Sequence, residues 1–311
     1  MAMAKEAIDK NSVFHIYGLS NRVEEEGKSI EVEAEFSVQW ALGDMERVGK
    51  TWKVVPDGSL LHNGLEFISK KPKSNTKLLE DLEALFKEES FRTTYINSPR
   101  TSTHVHVNVQ NRTKQELFTI LTVYYLVEDI LFHYVEKARG DNLFCLPMYG
   151  AESSSDCVKL LWDNRQDLVK SKFNNYKYAA LNVANVAKLG TIEFRHHEGT
   201  KNLSKLSGWF DLIDSVCESY KIFPNMKAAY DEYVSSYEGF IRKVFPKRSE
   251  KILAIPRSER NDINLTKVFE IVDFPNQPTK EIVQYQFKTA AQADDLKFDY
   301  GTLYRTTPMP M

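Results

Sequence analysis

Apolar and polar residues alternate along several short segments of the chain. In residues 30–36, 103–109 and 190–195, every second position carries an apolar or small side chain. This alternation predicts strands with one face on a core and one polar face. Residues 52–56 and 64–69 are also rich in strand-forming residues, and they flank a turn signal at Asp57 and Gly58.

Longer segments show the spacing of amphipathic helices. They are residues 75–88, 114–138, 204–223 and 226–244. Thr113 and Glu116 form a potential capping box before the second helix, and Gly140 is a potential stop. Residues 14–17 predict a short strand. Strands and long helices therefore occur together in one chain.

Composition restricts the class of protein. The chain has 311 residues, enough for one large domain or two smaller ones, and its net charge is −2. With a pI of about 6.4, the chain lacks the excess of basic residues that is typical of proteins that bind nucleic acid or membranes. No run reaches the roughly 20 apolar residues of a membrane span, and no signal peptide is visible. The three cysteines do not have the spacing of a metal site, and so small and odd a number is typical of a protein in the reducing cytoplasm.

Three of the alternating segments place two charged or metal-binding residues on one face of a strand. Residues two apart in a strand point to the same side of the sheet. The pairs are Glu33 with Glu35, His104 with His106, and Glu193 with Arg195. Side by side in one sheet, they would form a divalent-metal site with a cation directed at a phosphoryl group.

Each pair alone also has a simpler explanation. Two glutamates on one strand are often a solvated edge, and a glutamate beside an arginine is often an ion pair. The two histidines are more informative, because the chain has only seven and this strand holds two. Glu66, inside an apolar run, and Asp57 are further acidic candidates. His197 is expected on the face of Glu193, and His196 on the opposite face.

Taken together, the motifs resemble glutamine synthetase and the glutamate–cysteine ligases, and more closely the phage and fungal family called putative amidoligases. The resemblance covers residues 30–222. It rests on residues 31–36 (EVEAEF), 55–60 (VPDGSL), 64–69 (GLEFIS), 103–108 (THVHVN), 191–195 (TIEFR), Asn182, Gly199, Thr200 and Trp209.

The resemblance implies an α+β fold: a curved, mainly antiparallel sheet with helices on its convex side and the active site in its concave face. It also implies ATP-dependent joining of a carboxylate to an amine through an acyl phosphate, with Mg²⁺ or Mn²⁺. Residues 29–224 would form this catalytic domain. Residues 1–28 would be an N-terminal extension, and residues 225–311 a C-terminal helix and an appended segment of unassigned role.

The resemblance also assigns roles to single residues. Glu35 and Glu66 resemble ligands of one metal, with Asp57 a looser match. Glu33, His104 and Glu193 resemble ligands of a second metal. His106 resembles a residue beside the ATP phosphates, and Arg195 the arginine on the transferred phosphoryl group, so Glu193, His106 and Arg195 are the expected catalytic residues. The expected nucleotide contacts are His106, Asn108, Arg195 and Arg100, with Arg139 as a further candidate.

Two other functions remain open at this point. The same acids and histidines would suit a metal-dependent phosphoesterase or nuclease, or a non-catalytic binding relative. The ligase hypothesis predicts a carboxylate and an amine substrate, one of which could belong to a peptide or protein. It predicts neither nucleic acid nor membrane as a partner, and a cytoplasmic location, in the host if a phage encodes the chain. The oligomeric state stays open.

Overall fold

The computed structural model describes residues 9–140, 142–148, 152–172, 176–256 and 260–276, without the side chains of residues 152–154 and 260–264. The chain divides into two compact units, residues 1–275 and residues 276–311. The second lies almost entirely outside the described residues, as does the end of the predicted appended segment. The predicted division at residues 28 and 224 stays a prediction.

The strands of the described part form one open, antiparallel sheet. They are β1 (Lys28–Phe36), β2 (Trp52–Pro56), β3 (Leu65–Ser69), β4 (Tyr95–Ile96), β5 (Ser102–Asn108), β6 (Leu181–Asn182) and β7 (Thr191–Glu198). Their order is β2-β3-β1-β5-β7-β6, and β4 pairs with the end of β1. All these pairings are antiparallel. The predicted α+β class is thereby confirmed, whereas the curvature of a glutamine synthetase-like sheet stays a prediction.

Helices occupy the connections between strands and the C-terminal part of the unit. They are α1 (Val13–Ile16), α2 (Leu42–Val48), α3 (Asn75–Lys87), α4 (Glu89–Thr94), α5 (Lys114–Phe132), α6 (Glu152–Trp162), α7 (Gln166–Ser171), α8 (Val186–Leu189), α9 (Leu203–Cys217), α10 (Met226–Ser235), α11 (Tyr237–Val244), α12 (Ser249–Leu253) and α13 (Arg260–Val272). In this described part, no helix is both long and apolar enough to cross a membrane.

The sheet separates an apolar face from a polar face, as the alternation predicts. On β1, the side chains of Ile30, Val32, Ala34 and Phe36 are buried in the hydrophobic core. The same core includes Phe194 of β7, and its ring meets Tyr124 of α5 at 5.8 Å and Trp209 of α9 at 6.5 Å between centroids. The long helices therefore cover the apolar face. Truncating a buried ring such as Phe194 to alanine would cost about 3–5 kcal/mol.

The predicted starts of the helices largely agree with the structure, but not every predicted boundary does. The capping box before α5 is confirmed: Glu116 N–H donates to Thr113 Oγ1 at 3.2 Å, and Thr113 N–H to Glu116 Oε2 at 2.7 Å. The predicted end of this helix near Gly140 is wrong, because α5 ends at Phe132. Shortly after it, Glu136 N–H donates instead to Glu198 Oε2 of β7.

Two other element predictions are wrong. Residues 14–16 belong to the helical turn α1, and Tyr17 caps it; the Val13 and Phe14 N–H groups donate to carbonyl groups that precede α5. The single helix predicted over residues 226–244 is two helices. It breaks at Ser236, which has an extended φ of −152° and caps α11 through its hydroxyl group.

Candidate functional site

The strand register gathers acids and histidines from four strands on the polar face. β1 and β5 align Glu31 with His104, and β5 and β7 align His106 with Glu193. β1 and β3 align Glu33 with Glu66. Paired residues point to the same face of a sheet. Residues far apart in the sequence thus form one polar cluster, the acid–histidine cluster.

Glu31 lies at the centre of this cluster, although the sequence analysis did not select it as a site residue. Its Oε1 lies 3.2 Å from His106 Nε2, and its Oε2 lies 3.5 Å from His104 Nδ1. Burial raises the pKa of Glu31, but the adjacent imidazoles stabilise its charged form more strongly, and the net shift is downward. The signal was available, because Glu31 continues the spacing of Glu33 and Glu35.

A serine fixes the orientation of His104. Ser102 Oγ donates to Glu33 Oε2 and lies 2.6 Å from His104 Nε2, so Nε2–H donates to the serine. Nδ1 then faces the cluster, 3.5 Å from Glu193 Oε1 and 3.5 Å from an Arg195 nitrogen. His104 therefore presents Nδ1 toward Glu31, where it can bind a cation or share a proton with the carboxylate.

His106 is held in the same way from its other side. Its Nδ1 lies 3.2 Å from Thr191 Oγ1. Its Nε2 is buried and lies 3.2 Å from Glu31 Oε1. Burial lowers the pKa of His106, but the charges of Glu193 and Glu31 outweigh it, and the pKa is raised.

Glu193 is buried, yet its two oxygens have different environments. Oε2 accepts from Asn182 at 2.8 Å and from Asn185 at 2.7 Å. Oε1 accepts from Arg195 Nη1 at 2.5 Å. Burial raises the pKa of Glu193, but the positive charge of Arg195 leads the opposing effects, and the net shift is downward. Glu193 is therefore ionised, with one oxygen facing the cluster.

Two groups of residues in the described chain have the spacing of a metal site. One is Glu31, His106 and Glu193, and the other is Glu31, His104 and Glu66. In each group the three ligand atoms lie within 4.8 Å of one another. Carboxylate oxygen with imidazole nitrogen suits Mn²⁺ or a similarly hard divalent cation. Glu31 belongs to both groups, so it is placed to bridge two ions.

The crowding of carboxylates supports this interpretation. Burial, followed by the charge of Glu31, raises the pKa of Glu66 to about 8, and a hydrogen bond to Glu31 adds to the effect. Like charges at this spacing are stable only with a proton or a cation between them. His106 Nε2 and His104 Nδ1 face the same region, beside the two oxygens of Glu31. The residues present therefore fit divalent metal ions.

The other expected acids lie beside these groups. Glu33 accepts from Ser102 and lies 3.7 Å from His104 Nε2. Glu35 is buried and accepts the N–H of Leu61 at 2.8 Å. Neither belongs to the two groups found among the described residues. The division of ligands between two metals implied by the resemblance stays a prediction, and the geometry groups these residues differently.

The expected nucleotide contacts are more dispersed. Arg195, with 15% of its side chain exposed, lies in the cluster. Arg100 is exposed and donates to the carbonyl oxygen of Ser59 at 3.4 Å. Arg139 is buried and donates to the carbonyl oxygens of Arg195 and His196, beyond the end of β6. Arg139 thus holds the β7 backbone, and its expected contact with a phosphate stays a prediction.

Asn108 lines the cavity beside Glu31 and His106, and its side chain holds a loop. Its Nδ2 donates to the carbonyl oxygens of Val23 and Glu25, at 3.1 and 3.0 Å, and its Oδ1 accepts from Gln110 N–H. Gln110 in turn donates to the carbonyl oxygen of Asn21 at 3.2 Å. Both amide protons of Asn108 are therefore used by residues 21–25.

Ser20, Asn21 and Val23 border a cavity of about 260 Å³ at one end of the cluster. Glu31 and His106 line it, as do Lys70, Lys71 and Lys188. This cavity was not predicted from the sequence, because its lysines come from two segments that only the fold brings together.

A register shift in the β5–β7 pairing changes the expected position of His197. The shift lies between Thr103 and Val105. Both His196 and His197 contact Trp209 of α9, with centroids 5.4 and 5.8 Å apart. The prediction that His197 shares the face of Glu193 is therefore wrong, since such an irregularity redirects the side chains beyond it.

Comparisons with known proteins point in one direction. No curated protein matches the chain. A model of the family described as "putative amidoligase enzyme" matches residues 18–217, nearly two thirds of the chain. The match spans all strands of the described sheet and every residue of the acid–histidine cluster. The chain therefore belongs to the putative amidoligase enzyme family, as the resemblance of its motifs implies.

Proposed function

We propose that the protein is an ATP- and Mg²⁺-dependent ligase that joins a carboxylate to an amine. The observation that carries the proposal is the pair of acid–histidine groups sharing Glu31, with the guanidinium of Arg195 on the same face. Family membership supports the reaction class. The substrates would be a small molecule, a peptide or a protein side chain.

The chemistry explains why such a site needs ATP. An amine does not displace oxide or hydroxide from a carboxylate. In the first step a carboxylate oxygen attacks the γ-phosphorus of ATP, the bond to the bridging oxygen breaks, and ADP leaves. In the second step the amine attacks the acyl carbon, phosphate leaves with the bonding electron pair, and the amine loses a proton. The products are an amide, ADP and phosphate.

The residues of the cluster have separable roles in this scheme. Glu31, His104, His106, Glu66 and Glu193 would hold the metal ions. Ions bound there would supply positive charge against the phosphoryl group. Arg195 adds a donor that cannot lose its proton, because its pKa is raised beside Glu193. Arg195 would therefore stabilise the group in transfer.

The cavity beside Glu31 and His106 suits the phosphate chain of ATP. At about 260 Å³ it is slightly smaller than a pocket for a whole drug-sized ligand, which occupies roughly 300–1,000 Å³. A polyphosphate would meet the metal-binding groups on one side and the lysines on the other. The nucleoside would then extend out of the cavity. Asn108 would support this arrangement indirectly, through the loop that it holds.

The test combines product analysis with one conservative substitution. The protein is incubated with ATP, Mg²⁺ and pooled amino acids and peptides. We expect ADP, and a product lighter by one water than two components together. Glu193→Gln should lower ADP release at least about 10²-fold, whereas Glu83→Gln, on an exposed ion pair with Lys87, should not.

Other outcomes would favour other functions. Hydrolysis of a phosphodiester without any nucleotide would favour the phosphoesterase. Absence of Mg²⁺-dependent ATP binding in calorimetry would favour a non-catalytic relative. Full activity of a folded Glu193→Gln variant would refute the assignment of the site.

A further inference from the structure

Two buried asparagines contact the same oxygen of Glu193. Asn182 is 1% exposed and Asn185 is 4% exposed. Their side-chain nitrogens lie 2.8 and 2.7 Å from Glu193 Oε2. A buried carboxylate needs such donors, but one donor with Arg195 would already satisfy much of its demand. The arrangement therefore selects between the two oxygens.

The turn that carries these amides is fixed by its own hydrogen bonds. Asn182 Oδ1 accepts the N–H of Ala184 at 3.1 Å, which orients its Nδ2 toward Glu193. The carbonyl group of Asn185 accepts from Leu189 N–H at 2.7 Å and from Gly190 N–H at 3.0 Å. Gly190 closes the turn with a φ of 71°, a conformation that favours glycine. These hydrogen bonds fix the backbone that places both asparagines beside Glu193.

We propose that Asn182 and Asn185 are positioning residues that make Glu193 a ligand through one oxygen. With Oε2 occupied by two N–H donors, Oε1 is the oxygen that lies beside His104 and Arg195. Glu193 then leaves coordination positions for phosphate oxygens or water. The inference deepens the proposed function, because it assumes that Glu193 binds a metal ion.

Two hydroxyl groups of the site contact the histidines in the same way as the two asparagines contact Glu193. Ser102 orients His104, and Thr191 contacts the rear nitrogen of His106. Each candidate ligand on β5 and β7 thus has a partner on the side away from the cluster. Partners of this kind commonly set metal affinity, and their loss typically costs 10- to 100-fold.

Mn²⁺ binding tests the proposal without knowledge of the substrates. Asn182→Ala and Asn185→Ala are compared with the unmutated chain by calorimetry and by the Mn²⁺ electron paramagnetic resonance spectrum. We expect each variant to bind Mn²⁺ about 10- to 100-fold more weakly, with an altered spectrum. Asn225→Ala is the matched control, since Asn225 caps α10 through Ala228 N–H and is expected to affect stability alone.

The outcomes separate this inference from the proposed function. Thermal unfolding identifies which variants are folded at the assay temperature, and one folded asparagine variant suffices. Unchanged Mn²⁺ affinity and spectrum in that variant would assign the amides a purely structural role and overturn the inference, while leaving the metal site intact. If Glu193→Gln binds Mn²⁺ as the unmutated chain does, or if the unmutated chain does not bind it, the proposed metal site fails and the inference fails with it.

Discussion

His196 should make the stability of this protein depend on pH. Its ring is buried, and its Nε2 lies 3.0 Å from the hydroxyl oxygen of Tyr124. That hydroxyl group donates to Glu128, so Nε2–H donates to Tyr124. Burial, followed by the positive charge of Arg139 and the proximity of His197, lowers the pKa of His196 to about 3. The native state therefore holds this ring neutral.

The direction and size of the effect follow from proton linkage. In the unfolded chain the ring takes up a proton below a pKa of about 6.5, whereas the folded chain does not until the pH approaches 3. The unfolded state therefore binds more protons in this window, and the free energy of unfolding falls as the pH falls. At pH 5 the loss from this group is about 2 kcal/mol, at 1.36 kcal/mol for each of about 1.5 pH units.

Urea unfolding between pH 7 and pH 5 measures this effect. The variant His196→Gln keeps a donor for Tyr124 but does not titrate. We expect it to be less stable at pH 7, yet to lose about 2 kcal/mol less than the unmutated chain on going to pH 5. His62→Gln, at an exposed position, is the control for histidine replacement as such. Parallel stability curves for His196→Gln and the unmutated chain would refute the reasoning.

Three further predictions concern the site and the fold. Glu31→Gln should weaken Mn²⁺ binding by at least about 10²-fold, and more than Glu35→Gln does. The reason is that Glu31 belongs to both candidate groups, whereas Glu35 accepts the N–H of Leu61. Equal effects of the two substitutions in calorimetry would contradict the central position of Glu31. Arg195→Lys should retain Mn²⁺ binding but reduce ADP release at least about 10²-fold, since lysine cannot reproduce the guanidinium fork; a fully active variant would exclude a role in phosphoryl transfer. Thr113→Ala should lower the free energy of unfolding by about 1 kcal/mol in urea titrations through loss of the α5 cap, and an unchanged midpoint would show that packing alone fixes the start of the helix.

The sequence shows the two-residue alternation within each strand, but not the register in which the strands pair. The residues of the three pairs do lie on the polar face, because alternation is a local property. The central place of Glu31 follows from its alignment with His104, which depends on pairing between strands about 70 residues apart. Single-sequence reasoning could extend the glutamate series to Glu31, but it could not rank the three glutamates.

Residues that support the site were harder to predict than residues within it. Asn185, Ser102 and Thr191 are polar residues of ordinary appearance in the sequence, and their partners become visible only in three dimensions. Arg139 shows a related difficulty, since a lone arginine suggests phosphate binding, and only the structure shows that its guanidinium donates to carbonyl groups of β7. Charge alone does not reveal whether a side chain serves a ligand or the backbone.

The strand order has a consequence for how this protein folds. Glu31 and Glu193 are 162 positions apart, and they meet only when β5 has paired with β1 on one edge and with β7 on the other. Pairings of such high sequence separation form slowly, because long loops must close first. A nascent or truncated chain that lacks β7 would have helices and hairpins but no complete acid–histidine cluster. Assembly of that cluster is therefore a measure of complete folding, and a time-resolved signal from it would follow the last long-range step rather than the formation of secondary structure.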